Sequence, residues 1–113
     1  MTPRLTSRMT IDALMRRVQA AGGFATVLAK GDETAGAILL LCSERGEPQV
    51  LLERTIDLDG HYRWTPCGPQ DVESDGSRDS YMRRRRDSDP DLWLIELDVA
   101  DAERFAAETT GFD

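Results

Sequence analysis

The run Ala37-Ile38-Leu39-Leu40-Leu41-Cys42 decides the fold class. Six consecutive apolar residues are too few for a buried helix and suit a central strand, apolar on both faces. The turn signal Glu44-Arg45-Gly46-Glu47-Pro48 follows, and then a strand from Gln49 to Thr55. Upstream, Phe24 to Ala29 reads as a strand ended by the turn Gly31-Asp32-Glu33-Thr34. Downstream, Asp57-Leu58-Asp59-Gly60 leads into a strand over His61 to Thr65. Four short strands joined by tight turns predict an antiparallel meander, because parallel neighbours need a long crossover.

Helical periodicity brackets these strands. Between Met9 and Ala21, Ile11, Leu14, Met15 and Val18 recur at the spacing of one helical face. Thr10 or Ser7 is placed to cap this helix, and Gly22-Gly23 stops it. Pro66 to Gly76 reads as loop, and Arg78 to Asp87 as a short arginine-rich helix capped by Ser77 and ended by Pro90. Leu92 to Leu97 is a buried strand, and Asp98 is placed to cap a last helix from Val99 to about Glu108. The expectation is one α+β domain over residues 1–113. Its mainly antiparallel curved sheet of about five strands carries helices on its apolar face. Residues 1–6 and 109–113 are expected to be loose.

Composition narrows the function classes. The net charge of −7 opposes general nucleic-acid binding, since the mean field repels phosphate. The average conceals a pattern. Arg4, Arg8, Arg16, Arg17 and Lys30 face a single acid in residues 1–30, and Arg78 with Arg83 to Arg86 forms a second basic island. No apolar run approaches the roughly 20 residues of a membrane helix. No apolar segment follows the first arginines either, so cytoplasmic residence is expected. The two cysteines, Cys42 and Cys67, are expected to be free thiols.

Two blocks of sequence resemble a bacterial family of domains of unknown function, DUF1491. The first runs Gly23-Phe24-Ala25-Thr26-Val27-Leu28-Ala29-Lys30-Gly31-Asp32 and then Ala35 to Leu40. The second is Tyr81-Met82-Arg83-Arg84-Arg85 with Asp89-Pro90-Asp91-Leu92-Trp93-Leu94-Ile95-Glu96-Leu97-Asp98. The resemblance spans nearly the whole chain and implies a small bacterial cytoplasmic domain. It carries no activity, cofactor or catalytic residue onto these positions.

Four constellations are candidates for function. The arginine helix offers Arg83 and Arg84 outward, with Arg85 and Arg86 laid over the core edge beside Tyr81 and Met82. Guanidinium forks suit the chain's own acids, an acidic protein partner, or RNA or another phosphate ligand, the last with Arg16, Arg17 and Lys30 if they converge. Trp93 and Ile95 point opposite to Leu92 and Leu94. This strand therefore needs cover on both sides, from helices or from a second subunit, and that is the ground for expecting a homodimer with Trp93 and Ile95 at its interface. Cys67 with His61 is a candidate thiol site, provided the fold joins them. Finally, Val50 to Arg54 and Tyr62 to Pro69 resemble the strand leading into the Pro-Gly-Gly turn of Nudix hydrolases. The helix that should then carry metal-binding carboxylates carries arginines instead. A structural zinc site is not expected from three Cys and His residues in total, and no cofactor is expected. The reading that results is a non-catalytic protein-interaction domain, with a phosphate- or RNA-binding module as the alternative and an enzyme last.

Overall fold

The computed structural model describes residues 6–69 and 75–110. Its elements are α1 (Ser7–Ala20), β1 (Phe24–Ala29), β2 (Ile38–Glu44), β3 (Glu47–Ile56), β4 (Tyr62–Pro66), α2 (Asp75–Ser88), β5 (Trp93–Asp98) and α3 (Ala102–Thr110). The class is α+β, and each element falls within a few residues of its expected place. Residues 1–5 and 111–113, together with the loop acids Asp71 and Glu73, lie outside the described residues. Thr6 and Thr109, expected in loose ends, are both engaged. Thr6 Oγ1 accepts from the Met9 N–H at 3.2 Å and caps α1, and Thr109 Oγ1 donates to the Phe105 carbonyl at 2.9 Å.

The sheet order corrects the meander. Strands run β1-β5-β2-β3-β4, with β5 parallel to β2 and every other pair antiparallel. The β2-β3-β4 part is a meander as expected, but β1 and β2 are not neighbours. Burial accounts for the order. Residues Ile38 to Ser43 of β2 are all buried, and most of β5 is too, whereas β1 and β4 are largely half-buried or exposed. Strands with two apolar faces lower the free energy most at the centre of a sheet, and strands with one at its edges.

Helices cover both faces of this sheet, where one face was expected. On one side α1 and α3 pack Ile11, Leu14, Val18, Phe105 and Ala106 against Ile38, Leu40, Trp93, Ile95 and Leu97. On the other, Met82 of α2 packs with Leu39, Leu41, Leu51, Leu92 and Leu94. Trp93 is 2% exposed and Ile95 is fully buried. The two-sided apolarity of β5 is therefore satisfied by helices of the same chain, and a dimer interface no longer follows from it.

The link from β1 to β2 crosses the start of β5 at Asp91. The Asp91 carbonyl accepts from the Asp32 N–H at 2.9 Å, and a Cβ on Gly31 or Gly36 would lie 2.1 or 2.2 Å from that same oxygen. Trp93 Nε1 donates to the Asp32 carbonyl at 2.7 Å, and the Trp93 N–H donates to Ala37 at 2.7 Å. Ser7 Oγ, fully buried, closes the far side by donating to the Gly36 carbonyl at 2.6 Å. This use of Ser7 explains why Thr6, and not Ser7 or Thr10, caps α1; Thr10 Oγ1 is likewise engaged, with the Thr6 carbonyl.

Asp98 is a second correction. Its carboxylate accepts from the Arg45 and Gly46 N–H groups, each at 2.8 Å, and so holds the β2–β3 turn instead of capping α3. Both turn residues have positive φ, 54° and 81°, as a tight two-residue hairpin turn requires.

Gly31→Ala and Gly36→Ala should each destabilise the fold by about 2 kcal/mol or more, because the colliding atom is backbone. Gly22→Ala should cost only about 1 kcal/mol, since its φ is +86° but nothing lies within 4 Å of the added methyl. Urea unfolding of the three variants checks the contrast; equal losses would show that Asp91 exerts no special constraint.

Candidate functional site

The arginines divide into structural and outward-facing members. Arg85 makes a two-pronged pair with Glu53 of β3 (Nη1–Oε1 3.0 Å, Nη2–Oε2 2.5 Å) and donates to Tyr81 Oη at 2.8 Å. The Glu53 carboxylate holds this guanidinium more firmly protonated than usual. Arg86 Nη1 lies 2.7, 2.9 and 3.3 Å from the carbonyls of Pro90, Leu92 and Lys30, and so braces the same Asp91 crossing. These partners replace the acids Asp87, Asp89 and Asp91 suggested by sequence proximity. Arg83 and Arg84 are exposed, without an ion pair among the described residues. On the opposite layer, Arg17 pairs with Glu108 of α3, and among the described residues Arg16 Nε reaches only the Asp12 carbonyl at 3.4 Å. Lys30 follows β1 and lies 3.6 Å from Glu33. The sheet stands between α1 and α2, so Arg16 and Arg17 do not converge with Arg83 and Arg84.

Cys67 and His61 are also kept apart. They flank β4 at opposite ends, and six residues of extended chain separate them by roughly 20 Å. Cys67 joins a different group: its N–H donates to Leu51 at 2.9 Å, and its thiol packs beside Tyr81 in the network with Arg85 and Glu53. Gly68 has φ +70° and abuts the Tyr81 ring, where a Cβ would lie 2.7 Å from Cδ1. Burial pushes the Cys67 thiol up despite its hydrogen bond to Tyr81, and burial raises Cys42 to about 12. Cys42 and Cys67 are both thiols, not joined in a disulfide. Tyr81 stands beside Arg85 as the sequence indicated, but Glu53 was not singled out there. The usable signal was the placement of Glu53 on the same strand face as Leu51.

Among the described residues one set could offer metal ligands, Asp57, Asp59 and His61, with ligand atoms within 4.8 Å of one another. The Asp57 oxygens already accept from the Asp59 and His61 N–H groups and from Arg63 Nε at 2.8 Å. Arg63, with the His61 N–H, holds this carboxyl below its usual range. The group closes the β3–β4 turn, and the Asp57 carboxylate is already paired with the Arg63 guanidinium. A Nudix-type metal site would need clustered carboxylates on α2, whose three acids, Asp75, Asp79 and Asp87, stand among five arginines.

The sheet edges differ from one another. β4 is five residues long, carries Arg63 and ends at Pro66, features that discourage further strand pairing. Among the described residues β1 pairs only with β5, and its six residues contain neither charge nor proline. Phe24, Val27 and Leu28 are 74%, 42% and 46% exposed along it. A groove of about 370 Å³ between α1 and β1 is floored by Ile11, Met15, Val27 and Trp93 and rimmed by Arg8 and Lys30.

These features define a three-layer α+β domain with a thiol held in a polar network and one open sheet edge. The chain belongs to the family described as "Protein of unknown function (DUF1491)", whose model matches residues 5–107. It is similar to the crystal structure of a DUF1491 protein from Caulobacter crescentus CB15, at 34% identity over 90% of this chain and 94% of that one, with a TM-score of 0.78. The NMR structure of a DUF1491 protein from the same organism matches at 32% identity, covering 92% and 94% of the two chains, with a TM-score of 0.74. A solution structure of a protein from A. tumefaciens matches at 32% identity, covering 88% and 89%, with a TM-score of 0.66. No curated protein matches the chain. Among the described residues no helix is long and apolar enough to cross a membrane.

Two outcomes test the network. Glu53→Gln should cost about 1–3 kcal/mol, reduced toward the lower figure because both partners are about a quarter exposed, and urea unfolding reads the loss. At pH 8, Cys67 should alkylate more slowly than the same thiol in urea, and Cys42 should not react until the chain unfolds, both followed by mass spectrometry. Rapid labelling of native Cys67 would mean an activated thiolate and would favour the cysteine-enzyme reading.

Proposed function

We propose that this protein is a non-catalytic protein-interaction domain that binds an extended strand of its partner along β1. The observation that carries the reading is the unguarded β1 edge, six uncharged residues with Phe24, Val27 and Leu28 exposed. An edge strand presents N–H and C=O groups that only another strand satisfies in a regular ladder, and such pairing is a recurrent mode of peptide recognition. Natural edges are commonly protected by lysine, proline or a cover. Here β4 has such protection, and β1 has only a bulge between Val27 and Ala29 and a lysine beyond its end.

Binding of RNA or another phosphate ligand is the second reading, supported by Arg83 and Arg84, which are exposed and make no ion pair among the described residues. Without the α1 arginines this is a two-residue cation patch on a chain of net charge −7, and two phosphate contacts supply little affinity at physiological salt.

Affinity capture from the native bacterium, followed by mass spectrometry and RNA recovery, separates the two. Protein partners should be lost with Val27→Lys and retained with the Arg83→Ala/Arg84→Ala double variant, and no RNA should depend on either. Partners indifferent to Val27→Lys would refute the edge as the binding surface. RNA lost with the arginines would establish the second reading.

A further inference from the structure

We infer that α2 is a releasable cover, which lifts from the sheet as one unit while α1, α3 and the five strands stay folded. Its release uncovers a leucine-lined face of the sheet, distinct from the β1 edge.

The two faces of the sheet are covered by different chemistry. On one, α1 and α3 bury Ile11, Leu14, Val18, Ala102, Phe105 and Ala106. On the other, among the described residues of α2, only Met82 is buried, with Tyr81 half-buried beside it. The face beneath α2 is nonetheless strongly apolar. Leu39, Leu51 and Leu92 are fully buried there, and Leu41 and Leu94 nearly so. One methionine supplies only a small part of the hydrophobic attraction that the opposite layer draws on.

What holds α2 in place is mainly polar. Arg85 ties it to Glu53 of β3, Arg86 ties it to the carbonyls of Lys30, Pro90 and Leu92, and the Tyr81 ring abuts Gly68. Arg85 and Glu53 are each about a quarter exposed, so water replaces each partner readily when the helix lifts. Arg78 works against closure. It stands three and four residues before Tyr81 and Met82, on the same helical face. Its Nε and Nη2 atoms are buried with no hydrogen-bond partner among the described residues. A guanidinium desolvated in this way favours the open state, where both N–H groups regain water. A detached helix of 14 residues is itself marginal in water, so α2 unfolds as it lifts. The core beneath α1 and α3 includes no described residue of α2 and survives its departure. That separation of cores is what a sub-global opening requires.

Hydrogen exchange of the full isotope-labelled chain, followed by nuclear magnetic resonance under native conditions, tests the release. The Met82 to Arg86 amides should open roughly tenfold or more often than those of β2 and β5. Their exchange should rise with sub-denaturing urea, more gently than that of β2, as uncovering one face of the sheet requires. Glu53→Gln should speed α2 exchange roughly tenfold, and Arg78→Met should slow it by a similar factor. Ile11→Val, a mild change in the opposite layer, separates local from global opening. It should speed β2 and β5 exchange severalfold and leave α2 unmoved, because Ile11 keeps its contacts when α2 lifts. Wild-type α2 amides as slow as those of β2 and β5, or α2 and sheet amides sped equally by Ile11→Val, overturn the release. Urea-independent α2 exchange, which signals fraying that uncovers nothing, or faster α2 exchange in Arg78→Met, overturns it equally.

Discussion

The fold depends on a close crossing of backbone over backbone at Asp91. The link from β1 to β2 has to pass the start of β5, and it does so with Gly31 and Gly36 against the Asp91 carbonyl, where no Cβ fits. Around this contact the polar groups are satisfied from several elements at once: Asp32 by Asp91 and Trp93, Gly36 by Ser7, and the flanking carbonyls of Lys30, Pro90 and Leu92 by Arg86. Helices from both layers therefore meet at one corner of the sheet. The crossing lets the two most apolar strands lie side by side in parallel, which buries both faces of each.

This arrangement decides which parts of the sheet are covered. With helices on both faces, the apolar interior is complete, and Trp93 and Ile95 have no surface to offer. What stays open is the perimeter. One edge, β4, carries an arginine and a proline; the other, β1, carries neither and exposes three large apolar side chains. The arginine helix has a mixed role, with Arg85 and Arg86 holding α2 to the sheet and to the Asp91 corner while Arg83 and Arg84 face outward.

The elements were legible in the sequence because each rests on local chemistry: helical spacing of Ile11, Leu14 and Val18, apolar runs bounded by glycine and proline, and a proline after the arginine helix. Strand order was not legible, since Gly31-Asp32-Glu33-Thr34 announces a reversal of the chain without saying how many strands it spans. The double-sided apolarity of Leu92–Leu97 did hold the missing information, because such a strand belongs inside a sheet. Asp98 shows the same limit at smaller scale. A carboxylate seeking backbone N–H groups suits a helix cap and a hairpin turn equally, and only the fold brings Arg45 and Gly46 to it. The candidate site was partly legible in the same way. Four arginines in a row were evident, but whether they converge with Arg16 and Arg17 depends on which face each helix covers.

Insertion of β5 between β1 and β2 can be read from inter-strand nuclear Overhauser contacts in the isotope-labelled protein. Contacts are expected from Ile95 to both Val27 and Leu40, one on each side of β5, in antiparallel and parallel registers respectively. Direct backbone contacts between β1 and β2, with Ile95 adjoining only one of them, would contradict it.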